Sequence, residues 1–167
     1  MDKLQRMMNL FRGQDRGYGT YDLTGSVVDK VTGKNVAVPY KIATVKQPVT
    51  ADIWAGHLNG ESAIGIIPIR DDSTCYFGAI DVDIYKDFDS VSFIKNIYNK
   101  GLPLVPCRSK SGGLHLYLFL KDAAPAEMVR KKLQAMAGFL GQGDAEIFPK
   151  QDTVLADRGD MLSLIHI

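Results

Sequence analysis

The chain has 167 residues, of which 46% are apolar and 23% are charged, and these proportions predict a globular domain with a full hydrophobic core. Its 20 basic and 19 acidic residues nearly cancel, so any nucleic-acid binding must come from a local basic patch. No apolar run approaches the roughly 20 residues that cross a bilayer, and the start lacks a signal-peptide pattern, so we expect a cytoplasmic protein with no membrane partner.

The first segment, residues 1–70, is rich in glycine and polar turns that separate short apolar stretches. Such punctuation is typical of hairpins, and a threonine before an apolar helical pattern is a typical helix start. The predicted elements are hairpin strands at Ser26–Val28 and Val36–Val38, a helix from Thr50 to Leu58 and a strand at Ala63–Ile69. No linker marks a domain boundary, so we expect residues 1–161 to form one domain with this α/β segment packed on the remainder.

The second segment, residues 71–161, alternates strand and helix patterns more clearly. The predicted elements are a strand at Cys75–Ile84, a helix from Asp89 or Ser90 to Gly101, strands at Leu102–Cys107 and Leu114–Leu120, a helix from Pro125 to Gly141, and a strand at Ala145–Phe148. The order β-α-β-β-α-β is that of the RNA-recognition or ferredoxin-like arrangement. We therefore predict an α+β fold whose core sheet has the strand order 4-1-3-2.

Alternation along three neighbouring strands of this sheet sends polar side chains to one face, because successive strand residues point to opposite faces. The face left open by the helices would carry Asp81 and Asp83 from the first core strand, His115 from the third and Glu146 from the fourth. Tyr117 and Phe119 point the same way. They would either stack a nucleic-acid base or pack under the first segment.

Three carboxylates on one surface repel one another unless a cation lies between them. Mg²⁺ and Mn²⁺ prefer oxygen ligands, and a pair of such ions stabilises both oxygens of an in-line phosphoryl transfer. Asp81, Asp83 and Glu146 are therefore predicted to be catalytic residues and metal ligands. A solvated strand edge is the alternative for one Asp-x-Asp pair, but apolar Ile80 and Val82 favour a central strand.

The segment from Arg108 to His115 has the composition of an anion site. Its consecutive small residues let backbone N–H groups approach an anion, and its Arg and Lys add positive charge. The spacing is not that of a Walker loop. A plain hairpin turn and a structural histidine remain alternatives here. Lys150 would either contact template or nucleotide phosphates or be a surface lysine.

Two further features concern single residue types and the end of the chain. Cys75 and Cys107 are too few for a disulfide framework or a four-cysteine zinc site, and both are predicted to be buried thiols in strands. Residues 162–167 match the in-frame translation of a sequencing-adapter end. We expect them to be an adapter-derived tail after a cut near Met161, with a genuine short strand as the alternative.

Three motifs in this order resemble those of the archaeo-eukaryotic primase superfamily. They are the hydrophobic-Asp-hydrophobic-Asp motif ending at Asp83, the glycine-rich stretch from Ser109 to His115, and the carboxylate Glu146 on the last core strand. The wording is most similar to the primases of TOTE conflict systems and related phage or mobile-element proteins. Such relatives typically continue differently after Asp160, so parts of the site are expected to be missing and the activity of this fragment is an open question.

The resemblance implies a template-dependent nucleotidyltransferase, a DNA primase or polymerase that serves replication of a mobile element or phage, or a conflict system. It implies that Asp81, Asp83 and Glu146 bind two Mg²⁺ or Mn²⁺ ions. The implied triphosphate-binding residues are Arg108, Ser109, Lys110, Ser111 and His115. Single-stranded DNA template, nucleoside triphosphates and a fused or separate helicase are the expected partners.

Three other functions use a similar pattern. A non-catalytic RNA-recognition-like module would bind single strands, but three acidic groups on its open face would repel phosphate unless metal is present. A repair-type polymerase without primase activity would share every motif. A glycosyltransferase that uses Asp-x-Asp usually has a parallel-sheet fold and would leave the Ser/Gly/His segment unexplained.

Overall fold

A computed structural model describes residues 2–22, 25–37, 41–154 and 165–166, and it has the predicted α+β character. Its elements in chain order are α1 (Lys3–Leu10), β1 (Tyr18–Asp22), β2 (Ser26–Val28), β3 (Asn35–Ala37), β4 (Lys41–Val45), α2 (Ala51–Leu58), β5 (Ala63–Ile66), β6 (Thr74–Val82), α3 (Ser90–Asn99), β7 (Val105–Arg108), β8 (Leu114–Pro125), α4 (Ala126–Phe139), β9 (Glu146–Phe148) and β10 (Ile165–His166). In the part of the chain just defined, no helix is long and apolar enough to cross a membrane.

The core sheet contains four antiparallel strands in the order β7-β8-β6-β9. Read from β9, these are the fourth, first, third and second strands of the second segment. β6 is hydrogen-bonded on both sides, and α4 packs closely against it. A Cβ atom at Gly78 would lie 2.6 Å from Leu133 Cδ1, so glycine at this position lets the helix approach the sheet.

The two predicted helices of the second segment are confirmed. The Asp89 side chain accepts a hydrogen bond from the Ser92 N–H and so caps α3. Gly101 follows the end of α3 with φ of 62°, a conformation that favours glycine. Along α4, Val129, Leu133 and Met136 recur at helical spacing and are buried. This face of α4 lies against the core that Ile80, Val82 and Leu116 contribute from the sheet.

The predicted core strands are confirmed with shifted ends. β7 begins at Val105 rather than Leu102, because the N–H groups of Leu102 and Leu104 bond carbonyls in the turn that leaves α3. β8 continues past Leu120 to Pro125, pairing with the start of β6 across an irregularity between Cys75 and Phe77. β7 is the edge strand of the sheet, which explains why the prediction of a buried Cys107 is wrong while Cys75 is fully buried.

The first segment forms a second sheet, β10-β5-β1-β4, a separate hairpin of β2 and β3, and the helices α1 and α2. The predicted hairpin and the predicted helix after Thr50 are confirmed, with Val38 outside the described residues. The strand predicted from Ala63 ends at Ile66 rather than Ile69. α1 has no counterpart among the predicted elements.

The first segment packs against the sheet face opposite the core built by α4. Phe11 lies at the centre of this contact, with ring centroids 5.0 Å from Tyr117, 5.2 Å from Phe119 and 5.3 Å from Phe77. Trp54 stacks on its other side at 6.2 Å. Of the two alternatives for Tyr117 and Phe119, packing under the first segment is the one observed.

The end of the chain is described in two residues beyond 154. Ile165 and His166 form β10 and pair with Ile66 and Gly65, and Ile165 is buried. Residues 155–164 and 167, including Met161 and the predicted junction, lie outside the described residues. The adapter origin of residues 162–167 therefore stays a prediction.

Candidate active site

Carboxylates from neighbouring strands meet on the face of the core sheet opposite α4. Asp81 on β6 is paired in register with His115 on β8 and with Glu146 on β9. Asp83 follows β6 directly, two residues beyond Asp81. The negative charges of Asp83 and Glu146 both act on Asp81. The structure thus brings together the four polar residues that strand alternation predicts for one surface.

Asp81 is the least exposed of the three carboxylates, with 21% of its side chain accessible against 54% for Asp83 and 60% for Glu146. Its buried Oδ1 accepts no hydrogen bond from the residues that the structure describes, although His115 Nε2 lies 3.4 Å away. Loss of water first, and the charges of Asp83 and Glu146 second, raise the pKa of Asp81 to about 6. A cation beside this oxygen would offset both effects.

Asp83 and Glu146 already have partners. The Tyr85 hydroxyl donates to Asp83 Oδ1, and Lys34 Nζ lies 3.9 Å from Asp83 Oδ2. Lys150 Nζ lies 2.9 Å from Glu146 Oε2. Within the described ranges, no group of three His, Cys, Asp or Glu side chains is arranged as a metal site. Side-chain rotation away from these cations is needed before the carboxylates converge on a common ion.

The turn of residues 109–113, which joins β7 to β8, lies directly beside β6. The Ser109 N–H donates to the Gly113 carbonyl oxygen, and the hydroxyl oxygens of Ser109 and Ser111 are 3.0 Å apart. A Cβ atom at Gly113 would lie 2.5 Å from the Val82 carbonyl oxygen. Glycine at 113 therefore allows two serine hydroxyls to lie next to the carboxylates.

His115 connects this turn to the carboxylates. Its ring is buried, with Nδ1 3.0 Å from the Tyr117 hydroxyl and Nε2 facing Asp81. A proton on Nε2 suits the facing carboxylate, which leaves Nδ1 to accept from the tyrosine hydroxyl. In this tautomer, Tyr117 orients the ring and Nε2 is the donor.

The predicted basic residues of the turn lie on its outer side. Arg108 is exposed at the end of β7. Lys110 Nζ lies 4.0 Å from the centroid of the Tyr21 ring. Partial burial first, and the nearby charge of Lys34 second, lower the pKa of Lys110. The two lysines therefore face a common space beside the carboxylates.

Three residues at the site were not predicted: Lys34, Asn35 and Tyr85. The Asn35 N–H donates to the Ser111 carbonyl oxygen at 3.0 Å, which fixes the β2–β3 hairpin against the turn. Lys34 Nζ lies 5.3 Å from the centroid of the Tyr85 ring. Alternation beyond Asp83 would have pointed to Tyr85. The remote position of Lys34 in the sequence gives no local signal.

Comparison with known families adds an independent finding. The model of the family described as "TOTE conflict system, Archaeo-Eukaryotic Primase domain" matches residues 23–167. This range includes every predicted site residue and also the hairpin that carries Lys34. No curated protein matches the chain at a significant level of similarity.

Proposed function

Because the chain belongs to the archaeo-eukaryotic primase domain family of TOTE conflict systems, we propose that it joins nucleotides on a DNA template as a primase, a polymerase or both. The observation that carries the proposal is the buried Asp81 oxygen without a hydrogen bond, set between Asp83 and Glu146 and beside the serine-rich turn. The enzyme would serve a conflict system, or the replication of a mobile element or phage.

Asp81, Asp83 and Glu146 would hold two divalent cations, Mg²⁺ or Mn²⁺. The fit is supported by an all-oxygen ligand set and by the raised pKa of Asp81, which reports negative charge that the protein alone does not balance. When bound, the ions would stabilise charge on the attacking 3′-oxygen and on the leaving pyrophosphate. Lys34 and Lys150 occupy Asp83 and Glu146 in their place and are close enough to turn to substrate phosphates.

The incoming triphosphate would lie over the turn of residues 109–113. Backbone N–H groups and the hydroxyls of Ser109 and Ser111 are suitable donors, and Arg108 and Lys110 add positive charge. His115 Nε2 would donate to a phosphate oxygen, with its tautomer held by Tyr117. Such fixed donors bring the reacting phosphorus and the 3′-oxygen together without reorganisation at the moment of reaction.

The binding-module alternative loses its main support. RNA-recognition sheets bind single strands by stacking bases on open aromatic side chains. Here Phe11 packs edge-on against both Tyr117 and Phe119, so these rings do not offer an open platform. Single-stranded DNA would instead be held as template by the lysines around the carboxylates, with a fused or separate helicase supplying it.

Incorporation of labelled nucleotides on single-stranded DNA, with Mg²⁺ or Mn²⁺ and with or without a primer, tests the proposal. Asp83→Ala should abolish product, while Asp122→Ala, an exposed aspartate on β8, should leave synthesis intact. A second version replaces residues 162–167 with the native continuation of the gene. Product in the primer-free lane identifies a primase, and product only with primer identifies a repair-type polymerase. Absence of product from both versions, or equal product from Asp83→Ala, would refute the assignment.

A further inference from the structure

A groove of about 530 Å³ lies between the first segment and the edge of the core sheet. We call it the β7 groove. Leu10 and Phe11 of the first segment form one wall, Val105 on β7 forms another, and His115 and Tyr117 on β8 lie at its base. A volume of this size is typical of small-molecule sites.

The two ends of the β7 groove differ in chemistry. β7 pairs with β8 so that Arg108 lies opposite Leu114 at the turn, and Val105 lies opposite Tyr117 farther along. The turn end therefore carries Arg108, Ser109 and Lys110, all of which line the groove. The far end is apolar, and Val105 is 48% exposed there. Leu10, on the wall opposite the sheet, is 42% exposed.

An amphipathic anion matches this arrangement better than a wholly apolar ligand or a peptide. Cations and hydroxyls at one end suit phosphate oxygens, whereas exposed Leu10 and Val105 suit a flat, weakly polar ring. His115 lies between the two ends and also faces Asp81. A ligand that fills the groove from the turn outward would thus keep its first phosphate beside the carboxylates.

We propose that the β7 groove binds the nucleoside part of a nucleoside triphosphate, with the base between Leu10 and Val105 and the sugar over Tyr117. The inference rests on the proposed function, which places the triphosphate at Ser109–Ser111. It adds α1 and β7 to the substrate site. Most of the contacts available to the base are apolar, so the groove accepts bases by shape, and selection among them is left to the template.

Ala63→Phe tests the groove, because Ala63 lines it from β5 and is remote from the turn. Val91→Phe, on an exposed position of α3, is the matched control. Binding of ATP, dATP and inorganic tripolyphosphate would be measured by calorimetry in Mg²⁺. We expect Ala63→Phe to weaken binding of both nucleotides by about tenfold or more and to leave tripolyphosphate unchanged. Val91→Phe should bind all three ligands like the unaltered protein.

A second variant keeps the test decisive if Ala63→Phe does not fold. Leu10→Ala removes an exposed side chain, so it should fold, and it should weaken nucleotide binding several-fold while sparing tripolyphosphate. Met128→Ala, an exposed position on α4, is its control. Unchanged nucleotide affinity in a folded Ala63→Phe or Leu10→Ala would overturn the groove assignment and leave the proposed function intact. If the unaltered protein binds neither nucleotides nor tripolyphosphate, the triphosphate site itself is wrong and both proposals fall.

Discussion

Replacing Asp81 with asparagine measures how poorly the fold balances this buried carboxylate. Burial and two neighbouring carboxylates raise the pKa of Asp81 from its ordinary 3.8 to about 6. Asparagine has nearly the shape of the protonated acid and carries no charge at any pH. The substitution therefore removes the cost of ionisation while preserving the packing.

The sign and size of the effect follow from linkage. Because the pKa is higher in the folded protein, that state binds more protons than the unfolded chain between about pH 3.8 and 6, and stability falls as pH rises through this window. A tenfold change in proton affinity corresponds to about 1.4 kcal/mol, so the full cost is at most about 3 kcal/mol. One fifth of the Asp81 side chain reaches water, whose screening reduces this to about 1–2 kcal/mol.

Urea unfolding between pH 4 and pH 8 in EDTA checks this expectation. Asp81→Asn should match the unaltered protein near pH 4 and exceed its free energy of unfolding by about 1–2 kcal/mol above pH 7. Adding Mn²⁺ should stabilise the unaltered protein and narrow the gap, because a bound cation favours the ionised carboxylate. A difference that does not change with pH, or that favours the unaltered protein above pH 7 in EDTA, would refute the reasoning. Asp122→Asn is the control.

Three further substitutions test the fold and the site. Gly113→Ala should lower the free energy of unfolding by about 1–3 kcal/mol, because its Cβ would meet a carbonyl oxygen; Gly138→Ala, with open space in α4, should raise it by about 0.5–1 kcal/mol. In the same urea assay, Phe11→Ala should cost about 3–5 kcal/mol, against less than about 1 kcal/mol for Phe139→Ala, which is 59% exposed. Lys34→Ala should weaken ATP binding in Mg²⁺ several-fold by calorimetry; unchanged affinity would exclude Lys34 from the substrate site.

The second segment was predictable because its pattern is regular. The apolar spacing of α4 and the capping aspartate of α3 each have one good structural solution. Strict alternation in β6 and β8 was enough to place Asp81 and His115 on one face. The end of β8 was missed because the alternation stops near Lys121, where the strand leaves the buried part of the sheet.

The first segment was less predictable because its elements are stabilised by distant contacts. α1 was not foreseen, since its buried partner Phe11 lies just after the helix and packs against residues on β6 and β8. Lys34 reaches Asp83 because the backbone of Asn35 bonds the turn at Ser111. Neither contact leaves a periodic pattern in the sequence.

The bond between Asn35 and Ser111 also sets the smallest unit in which this site can be studied or transplanted. A fragment that began at residue 71 would retain the carboxylates and the turn, but it would lack the hairpin and would expose Phe77 and Tyr117 to water. Such newly exposed apolar surface promotes aggregation. The hairpin and the core sheet are therefore one indivisible module, and a trimmed or grafted version needs both.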